Sequence, residues 1–518
     1  MKRTLTLILM FVTCLATFAQ QDDPNSRRNL MVGSFSGQRS SELRKAVLED
    51  LVGTHRFNVY EESVYRNLPK EVREKIVLHG IVSGNVKSLK TEKKTWETTA
   101  SDGTKKTNSR WESEMEWSIT ITDPQTDKTI TTKNFTNYGS HSTEREKAEL
   151  DALTLGNKII SFFENQYPVT TTIVTLDDVN KNKAKSATIA VGSKSSIYRG
   201  MEFDASIRTA DKWKKIGELK IKEINSETQS TCNITSGGKE IKDAFEEGLE
   251  ISLTSHAIPS LLTIFTNKKI APRLGDIKPD DNARRNILLG TVTGNSSYTQ
   301  DLHTQLTEAL RTSHRAAIFS QSEYNKLTDS QRAATTIHGI LSGYVIDCST
   351  TSEQLENFMK ETYTLWTTKV RWVASIVNPA SGEMIYLTIR TGSGSSKESG
   401  SKSVEAALKN ASADIDDLLY QTFPLDGSIA TLDEADKKKA RTVTIDLGSK
   451  DAVYKGLTFA VFVQDATSEW ENIGRLEITD IVDDGHSTCK VTKGGADIKK
   501  ALEEGIPNRI VSFYEVSF

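Results

Sequence analysis

A chain of 518 residues is too long for one hydrophobic core, and domains of about 100–200 residues predict three or four of them. With 36% apolar, 26% charged and 7% aromatic residues, the composition is that of a folded protein and excludes a disordered one. A balance of 66 basic against 69 acidic residues gives a formal charge of -3, which leaves no cation surplus for a phosphate backbone and excludes nucleic acid as an expected partner.

The first residues read as a signal peptide over 1–19. Met1-Lys2-Arg3 is a short basic region, Leu5 to Ala19 is nearly all apolar, and Thr17-Phe18-Ala19 places small residues where a signal peptidase reads them. Cleavage is expected before Gln20. The apolar run is shorter than a bilayer requires, and no later segment reaches that length, so no transmembrane segment is expected after cleavage. Cys14 is flanked by Phe11-Val12-Thr13 and followed by apolar Leu15-Ala16, a context that favours an ordinary signal-peptide cysteine over a lipidated one. The other cysteines, Cys232, Cys348 and Cys489, are odd in number and widely spaced; they form neither a disulfide framework nor a zinc motif, and read as small buried residues.

The mature sequence is a duplication. Arg27 to Gly33 (RRNLMVG) matches Arg284 to Gly290 (RRNILLG), and His79 to Gly84 (HGIVSG) matches His338 to Gly343 (HGILSG). Thr175-Leu176-Asp177 recurs as Thr431-Leu432-Asp433, Gly192-Ser193-Lys194 as Gly448-Ser449-Lys450, and Ser230-Thr231-Cys232 as Ser487-Thr488-Cys489. Each copy is too long for a solenoid unit, so two tandem modules are expected.

Within copy 1, Leu30 to Gly33 predicts a strand, and Leu43, Ala46, Val47 and Leu51 have helical spacing. Strands follow at Phe57 to Tyr60 and Ile81 to Ser83, then a polar hairpin over Leu89 to Thr122. Its end alternates strictly, with Trp111, Ser113, Met115, Trp117, Ile119 and Ile121 on one face. Asp123 to Asp127 is a turn, and Lys147 to Phe163 reads as a closing amphipathic helix. Beyond Tyr167-Pro168, glycine-punctuated strands at Thr188–Val191, Phe203–Ile207, Gly217–Ile224 and Thr231–Ile234 predict a small barrel, with helical period only over Leu176 to Lys185. The expected fold class is therefore α+β, a tandem duplication of an α/β sandwich followed by a small β-barrel. The segments are an α/β domain over 20–168, a barrel over 169–255, a linker over 256–283, a second α/β domain over 284–424 and a second barrel over 425–518.

The strand, helix, Arg56-Phe57-Asn58-Val59, the glycine-bounded strand His79 to Val86 and the turn Asp123 to Ile130, repeated at Asn378 to Ile385, resemble the curli secretion channel (CsgG), penicillin-binding-protein activator (LpoB) and TolB N-terminal group. Tyr198 to Phe203 and Gly217 to Ile221 are similar to the C-terminal barrel of the flagellar assembly protein FlgT. The resemblance implies a bacterial envelope protein that works by binding and assembly. Pore-forming members insert hairpins with a lipid face, whereas Lys90 to Ser109 is dominated by Lys, Glu, Thr and Ser, so no pore of this chain's own is expected.

No residue set predicts catalysis. Gly192 to Ser195 lacks the glycine spacing of a phosphate loop, and Gly448-Ser449-Lys450-Asp451 puts a carboxylate where a phosphate would sit; both read as turns. Gly392-Ser393-Gly394 lies in a Ser/Gly/Lys run without a partner acid or histidine. The repeated histidines, His55 with His314 and His79 with His338, have no metal-ligand spacing. Asp177-Asp178 and Asp433-Glu434 are adjacent carboxylates whose side chains face apart, so capping or solvation is the expected role. Trp111 and Trp117 recur as Trp366 and Trp372 and are expected in the core. Trp96 has no counterpart and sits in the polar hairpin, which makes it the candidate partner contact.

These readings predict a non-enzymatic cell-envelope protein, with no cofactor and no metal, that scaffolds or regulates outer-membrane secretion, assembly or cell-wall synthesis. It is placed in the periplasm or at the outer-membrane periphery, with envelope protein partners; a homo-oligomer and peripheral membrane association are both compatible. The alternative is an exported glycan- or peptide-binding protein.

Overall fold

The computed structural model describes residues 27–54, 56–99, 104–209, 212–226, 228–256, 282–294, 297–464 and 470–512. The signal peptide with Cys14, most of the linker and His55 lie outside the described residues. The described chain is α+β, and the same order of elements runs through both copies.

In copy 1 the elements are β1 (Arg28–Ser36), α1 (Ser40–Gly53), β2 (Phe57–Glu61), α2 (Glu62–Asn67), α3 (Lys70–Arg73), β3 (Gly80–Thr99), β4 (Lys105–Thr122), β5 (Thr129–His141), α4 (Arg145–Asp151) and α5 (Asn157–Gln166). Strands β6 (Thr170–Val179), β7 (Ala184–Ile189), β8 (Glu202–Thr209), β9 (Lys212–Ile224) and β10 (Ser230–Ser236), helix α6 (Gly238–Glu246) and strand β11 (Ile251–His256) complete the copy. Copy 2 has β12 (Arg285–Gly294), α7 (Thr299–Arg311), β13 (Ala316–Ser320), α8 (Gln321–Lys326), α9 (Asp329–Ala334), β14 (Gly339–Glu356), β15 (Thr362–Val377), β16 (Met384–Ser396), α10 (Gly400–Ala413) and α11 (Ile415–Thr422). Its second part has β17 (Asp426–Gly427), β18 (Ile429–Ala435), β19 (Ala440–Ile445), β20 (Thr458–Gln464), β21 (Trp470–Ile481), β22 (Ser487–Lys493), α12 (Gly495–Glu503) and β23 (Asn508–Ser512).

Contacts divide the chain into two units. The first holds the described residues of Met1–Arg28, Thr54–Phe57 and Leu155–Thr263. Its centre is a closed barrel in the order β10-β7-β6-β11-β8-β9, filled by Ile189, Phe203, Leu219, Cys232 and Leu253. The helical period over Leu176 to Lys185 does not become a helix: those residues are the end of β6 and the start of β7, joined by a turn that Asn180 closes by accepting from Asn182 N and Lys183 N, both at 2.9 Å. Pairing with a neighbouring strand overrides local propensity here. Arg56 is buried in this unit and donates to Ser195 O at 3.2 Å and Tyr167 O at 3.1 Å.

The second unit holds Asn29–Gly53, Asn58–Thr154 and the described residues of Ile264–Phe518. It contains two five-stranded sheets, β2-β1-β3-β4-β5 and β13-β12-β14-β15-β16. In each, the first strand pairs parallel with the third, and the long hairpin and the fifth strand are antiparallel. Trp372 is buried in the copy 2 core with Leu302, Leu306, Ala407 and Leu418, and Trp117 is buried at the matching position, stacked on Phe135 at 4.7 Å. Trp111 and Trp366 lie on the same sheet face as these two and are half-buried. The closing helix expected over Lys147 to Phe163 is two helices, α4 and α5. Gly392 and Gly394 let α10 sit directly on β16, because a Cβ at either would run into the α10 backbone at Ala407.

The corresponding part of copy 2 is a seven-stranded, barrel-like sheet in the order β17-β23-β20-β21-β22-β19-β18. The two ends of that order, β17 and β18, are separated only by Ser428, so they are one strand interrupted once. Asp446 causes the break by accepting from Ser428 N at 2.6 Å and Ser428 Oγ at 2.7 Å.

Candidate interaction surfaces

The residues weighed for catalysis are held in local structural roles. His79 Nδ1 accepts from Asn29 N at 2.9 Å and His338 Nδ1 from Asn286 N at 3.0 Å, so each tethers the third strand to the first. His314 stacks on Tyr454 with ring centroids 4.8 Å apart. Asp177 accepts from Thr175 at 2.6 Å and Thr188 at 2.8 Å, and Asp433 repeats both contacts with Thr431 at 2.6 Å and Thr444 at 2.7 Å. The turn at Gly448 is closed by Asp451, whose carboxylate accepts from Gly448 N at 2.9 Å. Burial pushes the Cys232 and Cys489 thiols up to about 12, which keeps them protonated and unreactive. Among the described residues no group of three or more His, Cys, Asp or Glu could hold a metal ion, and no helix is long and apolar enough to cross a membrane.

Two features instead stand out by exposure. Both long hairpins run past the fifth strand that supports them. β5 pairs with β4 only as far as Trp111, leaving Lys94–Thr99 against Lys105–Arg110 as a two-stranded ribbon. Trp96 is on this ribbon, 42% exposed, with the Arg110 guanidinium 5.7 Å from its ring centroid. The cation covers part of one ring face and the remainder is open to solvent. On the same sheet face Tyr138 is exposed and donates to Glu114 at 3.2 Å.

The copy 2 ribbon carries a sharper feature that the sequence reading missed. β16 supports β15 only as far as Trp366, and the ribbon ends in Asn357-Phe358-Met359-Lys360. Asn357 Oδ1 accepts from Met359 N and Glu361 N, both at 2.9 Å, while Asn357 Nδ2 donates to the Glu361 carboxylate at 2.8 Å. Lys360 adopts a left-handed φ of 63° to close the turn. The result is an ordered tip with Phe358 91% and Met359 63% exposed. Two adjacent large apolar residues between acidic Glu356 and Glu361 were the available signal, since a turn is where such residues are least expected.

The third surface joins the two copies within the second unit. Met31, Tyr60, Leu68, Val72 and Ile76 of copy 1 pack in one apolar cluster with Leu288, Ile340, Val377 and Met384 of copy 2. Arg44 is held by Gly33 O at 2.7 Å, Val32 O at 3.1 Å and an ion pair to Glu61, and from that position donates to the Tyr344 hydroxyl at 3.0 Å. Glu49 pairs with Arg371 at 2.6 Å, Ser63 with Thr293 at 2.7 Å, and Lys75 donates to Pro379 O at 2.9 Å.

The described chain is thus a duplicated α+β architecture. No protein-family model matches the chain, and no curated protein does. Among solved structures it is similar to a hypothetical protein from Chlamydia trachomatis, at 10% identity and a TM-score of 0.20 over 27% of this chain and 98% of that one. The PelC dodecamer from Paraburkholderia phytofirmans matches at 11% identity and a TM-score of 0.17, over 26% of this chain and 88% of that one. A lipoprotein from Neisseria meningitidis matches at 13% identity and a TM-score of 0.15, over 23% of this chain and 90% of that one. These are bacterial proteins, one of them a lipoprotein, and the likenesses are too weak to carry an argument about function. No comparison brings evidence for the curli-secretion or flagellar families.

Proposed function

We propose that the chain is a non-enzymatic cell-envelope protein that scaffolds or regulates an outer-membrane or wall-building assembly by holding a protein partner. The observation that carries this reading is the pair of projecting ribbons, each displaying exposed aromatic or apolar residues on a two-stranded element that the parent sheet does not need. An isolated ribbon contributes little stability of its own, so large apolar side chains at its extremity are better accounted for by a contact than by folding. The leader-like start of the sequence supports export.

The test is crosslinking and capture of the tagged chain in its source cells, with the wild type beside Trp96→Ala and the double variant Phe358→Ser, Met359→Ser. Enrichment of the same envelope proteins by the wild type, and their loss with either variant at unchanged expression, is the expected result. Capture that is identical for all three chains refutes the ribbon reading. Bait alone from every chain favours the exported glycan- or peptide-binding alternative, for which Trp96 and Tyr138 on one open face are the residues to test.

A further inference from the structure

The two copies do not meet face to face. Copy 1 contributes a helical ridge, α1 with the α2–α3 segment, flanked by Met31 and Tyr60 of β1 and β2, and copy 2 contributes the outer face of its sheet; this is a head-to-tail contact between unlike surfaces. Because the copies are homologous, each carries an equivalent of the surface it does not use. Copy 1 has its own outer sheet face and copy 2 has its own ridge. A head-to-tail contact of this kind would ordinarily continue into a ring or filament by adding further chains.

Both leftover surfaces differ from their used counterparts at the contact positions. On the ridge, Val64, Val72 and Ile76 are buried in copy 1, whereas the aligned Glu323 and Gln331 of copy 2 are exposed and Thr335 is half-buried. Arg44, which reaches Tyr344, becomes His303. On the sheet face, Tyr344, Ile346, Val373 and Val377 are buried, and the aligned copy 1 residues are Asn85, Lys87, Ser118 and Thr122, with Asn85 and Lys87 exposed. The ion pair is decisive. Glu49 aligns with Glu308 and Arg371 with Glu116, so a second chain docked in the same way would set Glu308 against Glu116, two like charges where the chain itself has an attractive pair.

We infer that the duplication is a self-terminated head-to-tail pair: the interface is completed once, inside the chain, and the two unpaired halves are built to refuse a second copy. The wild type is expected to keep the mass of one chain by light scattering over a wide concentration range. If larger species form and are dissolved by Thr122→Lys or Gln331→Lys, the inference is overturned; if those substitutions leave the larger species intact, the association uses another surface and the inference about this one stands.

The complementary experiment converts each leftover half separately. One variant carries Asn85→Tyr, Lys87→Ile, Glu116→Arg, Ser118→Val and Thr122→Val; the other carries His303→Arg, Glu323→Val, Gln331→Val and Thr335→Ile. Mixed in equal amounts they are expected to give a species of twice the one-chain mass, absent when Glu308→Lys is added to the second variant. If the mixture of folded variants, checked by circular dichroism, stays at one-chain mass, these positions are not what ends the series and the inference fails.

Discussion

Arg315→Met tests how the second sheet is fastened to its barrel. Arg315 is fully buried and donates to Phe423 O at 2.6 Å, Ala283 O at 2.6 Å and Asn282 O at 3.1 Å. Asn282 in turn donates to Asp426 O at 2.6 Å and accepts from Asp426 N at 2.9 Å, which continues the chain of bonds into the first barrel strand. Methionine fills most of the volume but strands three carbonyls, each costing about 1–3 kcal/mol when left unmet in the interior. Relief of the desolvated cation offsets part of this, leaving a loss of about 3 kcal/mol. Each 1.4 kcal/mol is a factor of ten, so hydrogen exchange of the amides at Asp426 and in β23 should speed up by about a hundredfold, while β1 to β5 keep their protection. Arg315→Lys should recover only part of the effect, because one ammonium cannot serve carbonyls lying on different sides of a planar fork. A change of less than about fivefold with methionine would mean that these carbonyls find other donors, and the clamp argument would be wrong.

Asp50 is largely buried with Oδ2 lacking a hydrogen-bond partner, and desolvation, with Glu49 adding to it, pushes its carboxyl up to about 7. The folded state therefore holds a proton that the unfolded chain releases near 4; native Asp50 is tolerated at low pH and becomes a liability as pH rises through about 7. Asp50→Ala, which reproduces the aligned Ala309, should gain stability at pH 8 and little at pH 4; urea midpoints that shift equally at both values would contradict this. Gly392→Ala forces a Cβ into the α10 backbone and should lower stability by about 3 kcal/mol, read as a fall in melting temperature, whereas Gly53→Ala, with nothing near its Cβ, should be neutral or stabilising. With a thiol reagent, Cys348 should label first and Cys232 and Cys489 only at the rate of unfolding, since the latter two are fully buried. Fast labelling of either barrel cysteine would show that its barrel opens readily.

Much of the architecture was legible because the periodicities are local. The alternation from Trp111 to Ile121 places Trp117 in the core where the structure has it, and the turn at Asp123 closes as the residue types require, with Asp123 accepting from Gln125 N at 2.8 Å. Helices α6 and α12 escaped because each follows a strand directly and presents only two fully buried apolar residues, Ile241 with Ala244 and Ile498 with Ala501. The packing between copies was invisible to periodicity, which reports that a residue is apolar but not what covers it. A trace was nevertheless present. Gly339 to Ile346 and Val370 to Val377 carry apolar residues on both faces, interrupted only by Ser342, Arg371 and Ser375, as a doubly covered sheet requires, whereas Gly84 to Lys90 and Met115 to Thr122 alternate with polar residues as a singly covered one does. The Phe358-Met359 tip was missed because the hairpin was judged from copy 1, whose ribbon is polar.

The contact between the two copies also has a consequence for dilution. When two surfaces belong to one chain, each sees the other at an effective concentration of the order of millimolar, fixed by the connecting polypeptide rather than by the number of molecules made. Separate subunits must find one another and fall apart when scarce. Here Arg44 meets Tyr344 and Glu49 meets Arg371 in every molecule, at the first copy synthesised as at the thousandth, so the composite surface exists whole wherever a single chain arrives.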